Sequence, residues 1–299
     1  MKKSTDRQEA VSVGPLEQWI CIRAAQESLR VHVLEWPGEK RPFVLLHGLA
    51  SNATTWLAVG RLLAAQGHRV LAIDQRGHGQ SDKPETGYDF ATIAEDLYLL
   101  LDALDVEAPV LAGQSWGGNG VLEYAARYPG SVHQLVFVDG GFLDLQSRPG
   151  MTWERVAVEL RPPPLAGMAR SALAQRIRAL HPDWSDKGIE ATLANFEHLP
   201  DGTVRPWLSL DRHMQVLRAL WEQRPAELYP QITCPVTIVA AEDKAAPEWV
   251  EMKRLQLRAA EQGLSCVRVH WLPDTAHDIH VHRPGKLAAL MLESLRRER

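Results

Sequence analysis

Five consecutive residues, Gly113-Gln114-Ser115-Trp116-Gly117, carry the clearest chemical signal in the chain. They follow an apolar run, Pro109 to Ala112, and precede a helical pattern reaching Tyr128, the strand-turn-helix setting of a nucleophile elbow. A serine on so tight a turn is forced into unfavourable backbone angles, so the positions two residues to either side must lack side chains, as Gly113 and Gly117 do. The hydroxyl then projects from the start of a helix, where the free amide of Trp116 can meet a developing oxyanion. The loop in which Leu46-His47-Gly48-Leu49 ends supplies a second donor, the Leu49 amide. A serine hydroxyl is a weak nucleophile near neutral pH, so it needs a base, and the base needs a carboxylate to hold its tautomer. Both are expected after Ser115 in the chain.

Holding these groups in place takes a rigid sheet, and the apolar pattern provides one. Short apolar runs at Trp19 to Arg23, Leu29 to Trp36, Phe43 to Leu46, Arg69 to Ile73, Pro109 to Ala112, Leu135 to Val138, Pro235 to Ala240 and Val267 to Leu272 read as strands. Between them lie amphipathic patterns: Thr55 to Gln66, stopped by Gly67; Phe90 to Leu104, with Glu95, Asp96 and Asp102 outward; a helix ending near Gly263; and a last one from Pro284 toward Arg296. This alternation predicts an α/β fold, a mostly parallel eight-stranded sheet flanked by helices. After Asp139-Gly140-Gly141 it lapses, and residues 142–229 show helical, strandless patterns with Pro162-Pro163-Pro164 and Trp153, Trp184, Trp207 and Trp221. That segment is expected to be an inserted helical cap on a core of residues 15–141 and 230–299, with one or two of its tryptophans reaching the pocket. Residues 1–14 are expected to be a flexible N-terminal segment.

The composition narrows the partners. A chain of 299 residues with 45% hydrophobic and 23% charged residues can bury a substantial core. Its formal charge of −4, with Lys and Arg scattered among Asp and Glu, offers no basic field for nucleic acid. Lys2 and Lys3 are not followed by the apolar run of a signal peptide, and no stretch reaches membrane-spanning length, so a cytoplasmic protein is expected. Cys21, Cys234 and Cys266 are too widely separated for a disulfide framework or a Cys-x-x-Cys metal site. His277, His280 and His282 do not share one face of an extended segment, so no metal is assigned to them. Arg76 and His78 are read as parts of a turn that braces neighbouring loops.

His47-Gly48, the run Asp74-Gln75-Arg76-Gly77-His78-Gly79-Gln80-Ser81 and the elbow together resemble the α/β-hydrolase superfamily, with the similarity spanning roughly Trp19 to the C-terminus. The resemblance implies a terminal histidine loop, matched by Ala276-His277-Asp278 with Pro284 beyond it, and so gives His277 as the base. It also implies an acid just past a late strand, matched by Asp243 with Pro247 four residues on, although Glu242 sits beside it and Ala240-Ala241 stand where relatives commonly have glycine. Asp139 is the rival acid, because some members place the carboxylate at the end of the preceding strand.

The expected activity is hydrolysis of a small or medium, apolar or aromatic carboxylic ester through an acyl-enzyme on Ser115, without cofactor, in a monomer or homodimer. The same residues also serve C–C, lactone or amide hydrolysis and cofactor-free peracid formation in similar proteins. An alternative of another class is a small-molecule receptor on a hydrolase scaffold.

Overall fold

The computed structural model describes residues 14–24 and 27–296. The segment expected to be flexible, residues 1–14, falls outside the described residues except for Gly14. The strands are β1 (Leu16–Ala24), β2 (Glu27–Trp36), β3 (Lys40–Leu46), β4 (His68–Ile73), β5 (Val110–Gln114), β6 (Gln134–Val138), β7 (Phe196–His198), β8 (Val204–Pro206), β9 (Val236–Glu242) and β10 (Val267–Pro273). Eight of them form one sheet in the order β1-β2-β4-β3-β5-β6-β9-β10. Within it β2 pairs antiparallel with β1 and β4, and all other neighbours are parallel. The eight expected strands are therefore present.

The period of two along each strand divides the core between the two faces of this sheet. Val44 and Leu46 of β3, Leu111 of β5 and Leu135 and Phe137 of β6 point to one face. There they pack with helices α2 (Phe90–Ala103), α3 (Trp116–Arg127) and α9 (Pro247–Gly263) through Leu97, Leu100, Val121 and Leu257. Phe43, Leu45, Val110, Ala112, Val136 and Val138 point to the other, against Val59 and Leu63 of α1 (Leu57–Ala64) and Leu287 and Met291 of α11 (Pro284–Arg296). Burial on both faces explains why these strands read as unbroken apolar runs. Gly67 stops the first helix as expected: its φ is +86° and its N–H donates to Ala64 O at 2.8 Å.

Two expectations need correction. Asp96 of α2 turns inward, not outward, because Arg76 takes both its oxygens, Nε to Oδ2 at 2.7 Å and Nη2 to Oδ1 at 2.9 Å. Residues 142–229 are not strandless: β7 and β8 pair antiparallel within them. Helices make up most of the rest of that segment, namely α4 (Trp153–Glu159), α5 (Arg170–Leu180), α6 (Asp186–Leu193), α7 (Leu210–Glu222) and α8 (Pro225–Leu228). Val156, Leu208, Val216 and Leu220 pack over Trp116 and Phe90, which sets this segment above the carboxyl ends of the central strands.

Candidate active site

Ser115 sits between β5 and α3 with φ +52° and ψ −122°, backbone angles that cost a non-glycine residue about 1–3 kcal/mol. The two glycines explain why the turn closes. A Cβ on Gly113 would lie 2.1 Å from Gly117 O, and one on Gly117 would lie 2.4 Å from His47 O. Either side chain would push apart the chain crossing that aims the hydroxyl.

His277 lies past β10, just before the short helix α10 (Ile279–His282). Its Nδ1–H donates to Asp139 Oδ2 at 2.6 Å, which leaves Nε2 as the free, basic nitrogen. Asp139 ends β6 with φ +48° and is fully buried. Its Oδ1 accepts from Ala241 N at 2.9 Å, and its Oδ2 also receives Lys253 Nζ at 2.6 Å. Burial alone would raise the Asp139 pKa, but the bond and charge of His277 and then Lys253 outweigh it and hold the carboxyl below its ordinary value. The His277 side chain is 48% exposed. Its partial desolvation opposes protonation, yet the hydrogen bond and charge of Asp139, helped by Asp278, raise its pKa above the ordinary value.

The expectation that Asp243 orients His277 is not met by this geometry. Asp243 follows β9 and turns back on its own loop, where Oδ1 accepts from Ala245 N at 2.9 Å. The carboxylate on His277 is that of the rival, Asp139. The cause lies in the backbone: β6 neighbours both β5 and β9, so the turned end of β6 reaches the histidine while the end of β9 supplies only the Ala241 amide. Lys253 went unnoticed in the sequence, although a signal was present. It falls three residues after Val250 and four before Leu257 on the buried face of α9, a spacing that calls for an apolar residue.

The loop carrying Leu49 is braced from below. Ala50, at φ +58°, donates its N–H to His78 Nε2 at 3.2 Å, while His78 Nδ1–H donates to Arg76 O at 2.9 Å. Gln75 N–H donates to His47 Nε2 at 3.1 Å, and His47 Nδ1–H donates to Gly48 O at 2.7 Å. Burial keeps both imidazoles below their ordinary pKa and hence neutral, as acceptors must be. Asp74 holds the adjoining turns, accepting from Ala53 N at 2.6 Å and Gln80 N at 2.8 Å. Among the described residues the amides of Leu49 and Trp116 have no acceptor. His280 and His282 take separate places: His280 is buried against the Trp56 ring, and His282 Nε2 meets Asp183 Oδ2 at 2.5 Å while its Nδ1 accepts from Ala276 N.

Ser115, His277, Leu49 and Trp116 line one cavity of about 440 Å³, within the usual range for a small-molecule site. Leu143, Leu145, Leu160, Leu217 and Leu220 of residues 142–229 form its roof, with Ala246, Trp249, Val250 and Met252 along one side. Asp243, Lys253 and His213 also reach its wall. Burial lowers the pKa of His213, against the effect of its bond to the Leu160 backbone. None of Trp153, Trp184, Trp207 and Trp221 lines the cavity; its tryptophans are Trp116 and Trp249. Trp207, for example, bonds Ala194 O through Nε1 and packs under Lys83.

Comparison with known proteins agrees with the fold. The α/β hydrolase fold family profile matches residues 41–284. A protein named non-heme chloroperoxidase from Streptomyces lividans is 42% identical over 106 residues, 35% of this chain and 38% of that protein. The AB hydrolase superfamily protein YisY of Bacillus subtilis is 36% identical over 114 residues, 38% of this chain and 42% of that protein. The matched stretch thus spans well under half the length of these curated relatives. Among solved structures, E-2-(acetamidomethylene)succinate hydrolase superposes with a TM-score of 0.73 at 24% identity, covering 93% of this chain and 98% of that one. An esterase from Exiguobacterium antarcticum gives 0.70 at 21% identity, covering 92% and 98%. Likeness at these identities is a likeness of fold, and with the profile match over most of its length the chain belongs to the α/β hydrolase fold family.

Proposed function

We propose that the protein is a serine hydrolase that cleaves small or medium, apolar carboxylic esters through an acyl-enzyme. The observation that carries this reading is that a strained Ser115 shares one cavity with His277, whose Nδ1 is bound by the buried Asp139. In this mechanism His277 Nε2 takes the Ser115 proton as Oγ attacks the ester carbonyl, and the Leu49 and Trp116 amides receive the oxyanion. The imidazolium then gives its proton to the departing alcohol. Water attacks the acyl-serine by the same route in reverse, releasing the acid and restoring Ser115. Residues 142–229 act as a cap, whose leucines select an apolar acyl or alcohol group.

Labelling with a fluorophosphonate and a series of p-nitrophenyl esters of rising chain length test the proposal. Labelling at Ser115, with turnover that disappears in Ser115→Ala, is expected. Turnover retained in that variant would refute it, and labelling without turnover of any ester would favour a receptor.

The haloperoxidase names of several similar proteins support a second reading, in which hydrogen peroxide replaces water as acceptor of the acyl group and yields a peracid. Halide oxidation that requires both a carboxylic acid and peroxide, and is lost in Ser115→Ala, would distinguish it.

A further inference from the structure

Lys253 is out of place on apolar grounds: an ammonium on the buried face of α9, its side chain only 8% exposed. Removing a cation from water is costly, and a hydrophobic residue of similar volume is often as stable or more so. Its partners suggest why it is there. Nζ lies 2.6 Å from Asp139 Oδ2 and 3.0 Å from Ala241 O, and the oxygen it binds is the one that accepts His277 Nδ1–H at 2.6 Å.

We propose that Lys253 is a positioning residue of the hydrolytic site, locking the carboxylate shared with His277 and supplying a fixed positive charge to the catalytic group. The inference rests on the proposed hydrolase reading. With Lys253 present, Asp139 and Lys253 cancel while His277 is neutral. In the transition state the imidazolium and the oxyanion cancel as well, so the group formed by Asp139, Lys253, His277 and the reacting oxygen stays neutral throughout. Without Lys253 that group would carry the uncompensated negative charge of the buried Asp139, which would oppose a developing oxyanion.

The same charge acts on His277. The groups that bear on it are Asp139 from β6, Lys253 from α9, Asp278 beside it and His280, itself held below its ordinary pKa by burial; Asp243 lies in the wall of the same cavity. Asp139 and Asp278 favour the imidazolium, and Lys253 opposes it. Lys253 thus keeps a working neutral base at a lower pH than the carboxylate and histidine would by themselves.

The test uses Lys253→Met, Lys253→Gln, which keeps a donor without the charge, and Lys253→Arg. Two readouts apply: kcat/KM against pH for an ester, and NMR titration of the His277 ring in a Ser115→Ala background. In the Met and Gln variants both midpoints should move up by about one pH unit, with Arg returning them to within a few tenths. A His277 midpoint that is unchanged or lower in a folded Met or Gln variant would overturn the proposal. Should no variant or parent hydrolyse esters, the functional reading fails, while the NMR titration still decides the role of Lys253.

Discussion

A carboxylate at the end of β6, the sheet neighbour of the strand that leads to Asp243, changes which backbone fixes the histidine. Asp139→Asn would leave the ring in place but remove its reason to keep the proton on Nδ1, and kcat/KM should fall by about 10³–10⁴-fold. Asp243→Asn should cost less than about tenfold, because Asp243 bonds its own turn and not His277. Steady-state kinetics on both variants decide the matter, and a larger loss in Asp243→Asn would reverse the assignment. Since His277 must be neutral to act, and Asp139 raises its pKa, activity should fall as the pH drops through a midpoint above about 6.5. At this scale the meeting of Ser115 and His277 in one cavity was legible, one from a motif with mechanical requirements and the other from the resemblance to the superfamily's terminal histidine loop. The acid was not. Asp139 and Asp243 both follow apolar strands, and what separates them appears only in the fold, where His277, Ala241 and Lys253 bond Asp139 while Asp243 bonds Ala245 in its own turn.

Elements convert these side chains into a site. The His78 ring supports the loop that carries Leu49 through its bond to the Ala50 amide. His78→Leu would leave that partly buried amide without its acceptor, at a cost of about 1 kcal/mol. It should lower the melting temperature, and kcat by roughly tenfold or more with KM little changed, as expected when transition-state donors lose their aim. Equal kcat in parent and variant would remove the loop-bracing role. Helix α9 forms one side of the cavity. Trp249 and Met252 line the site cavity and also a neighbouring cleft of about 520 Å³. Trp249→Ala should therefore open one into the other and shift the preferred p-nitrophenyl ester toward longer chains, an outcome read directly from a chain-length series. The Arg-Gly-His-Gly run was legible as a brace. The role of α9 was not, because its helical period shows which face is buried but not that the buried face meets the end of β6.

For the whole molecule, the sheet was legible because both its faces are covered, so its strands are written as unbroken apolar runs. The small β7–β8 pair escaped notice because its strands are three residues long and one ends in Pro206. Burial of neutral histidines also sets how stability depends on pH. His280 has neither ring nitrogen hydrogen-bonded, and burial pushes its pKa down to about 4; His47 and His78 are lowered too. The unfolded chain takes up these protons near pH 6.5 and the folded one only at lower pH, so stability is present above about 6.5 and declines as the pH falls toward about 4. For His280 alone the loss reaches about 3 kcal/mol. Urea midpoints at pH 7 and 4.5 should differ, and His280→Leu should narrow the gap; a gap that stays the same would contradict this origin.

An acyl-enzyme on Ser115 is tested most directly by rapid-quench mass spectrometry during hydrolysis of a p-nitrophenyl ester. A burst of about one equivalent of p-nitrophenol and an acyl adduct on the peptide containing Ser115 are expected, both lost in Ser115→Ala. Steady turnover with no adduct at Ser115, undiminished in Ser115→Ala, would contradict it.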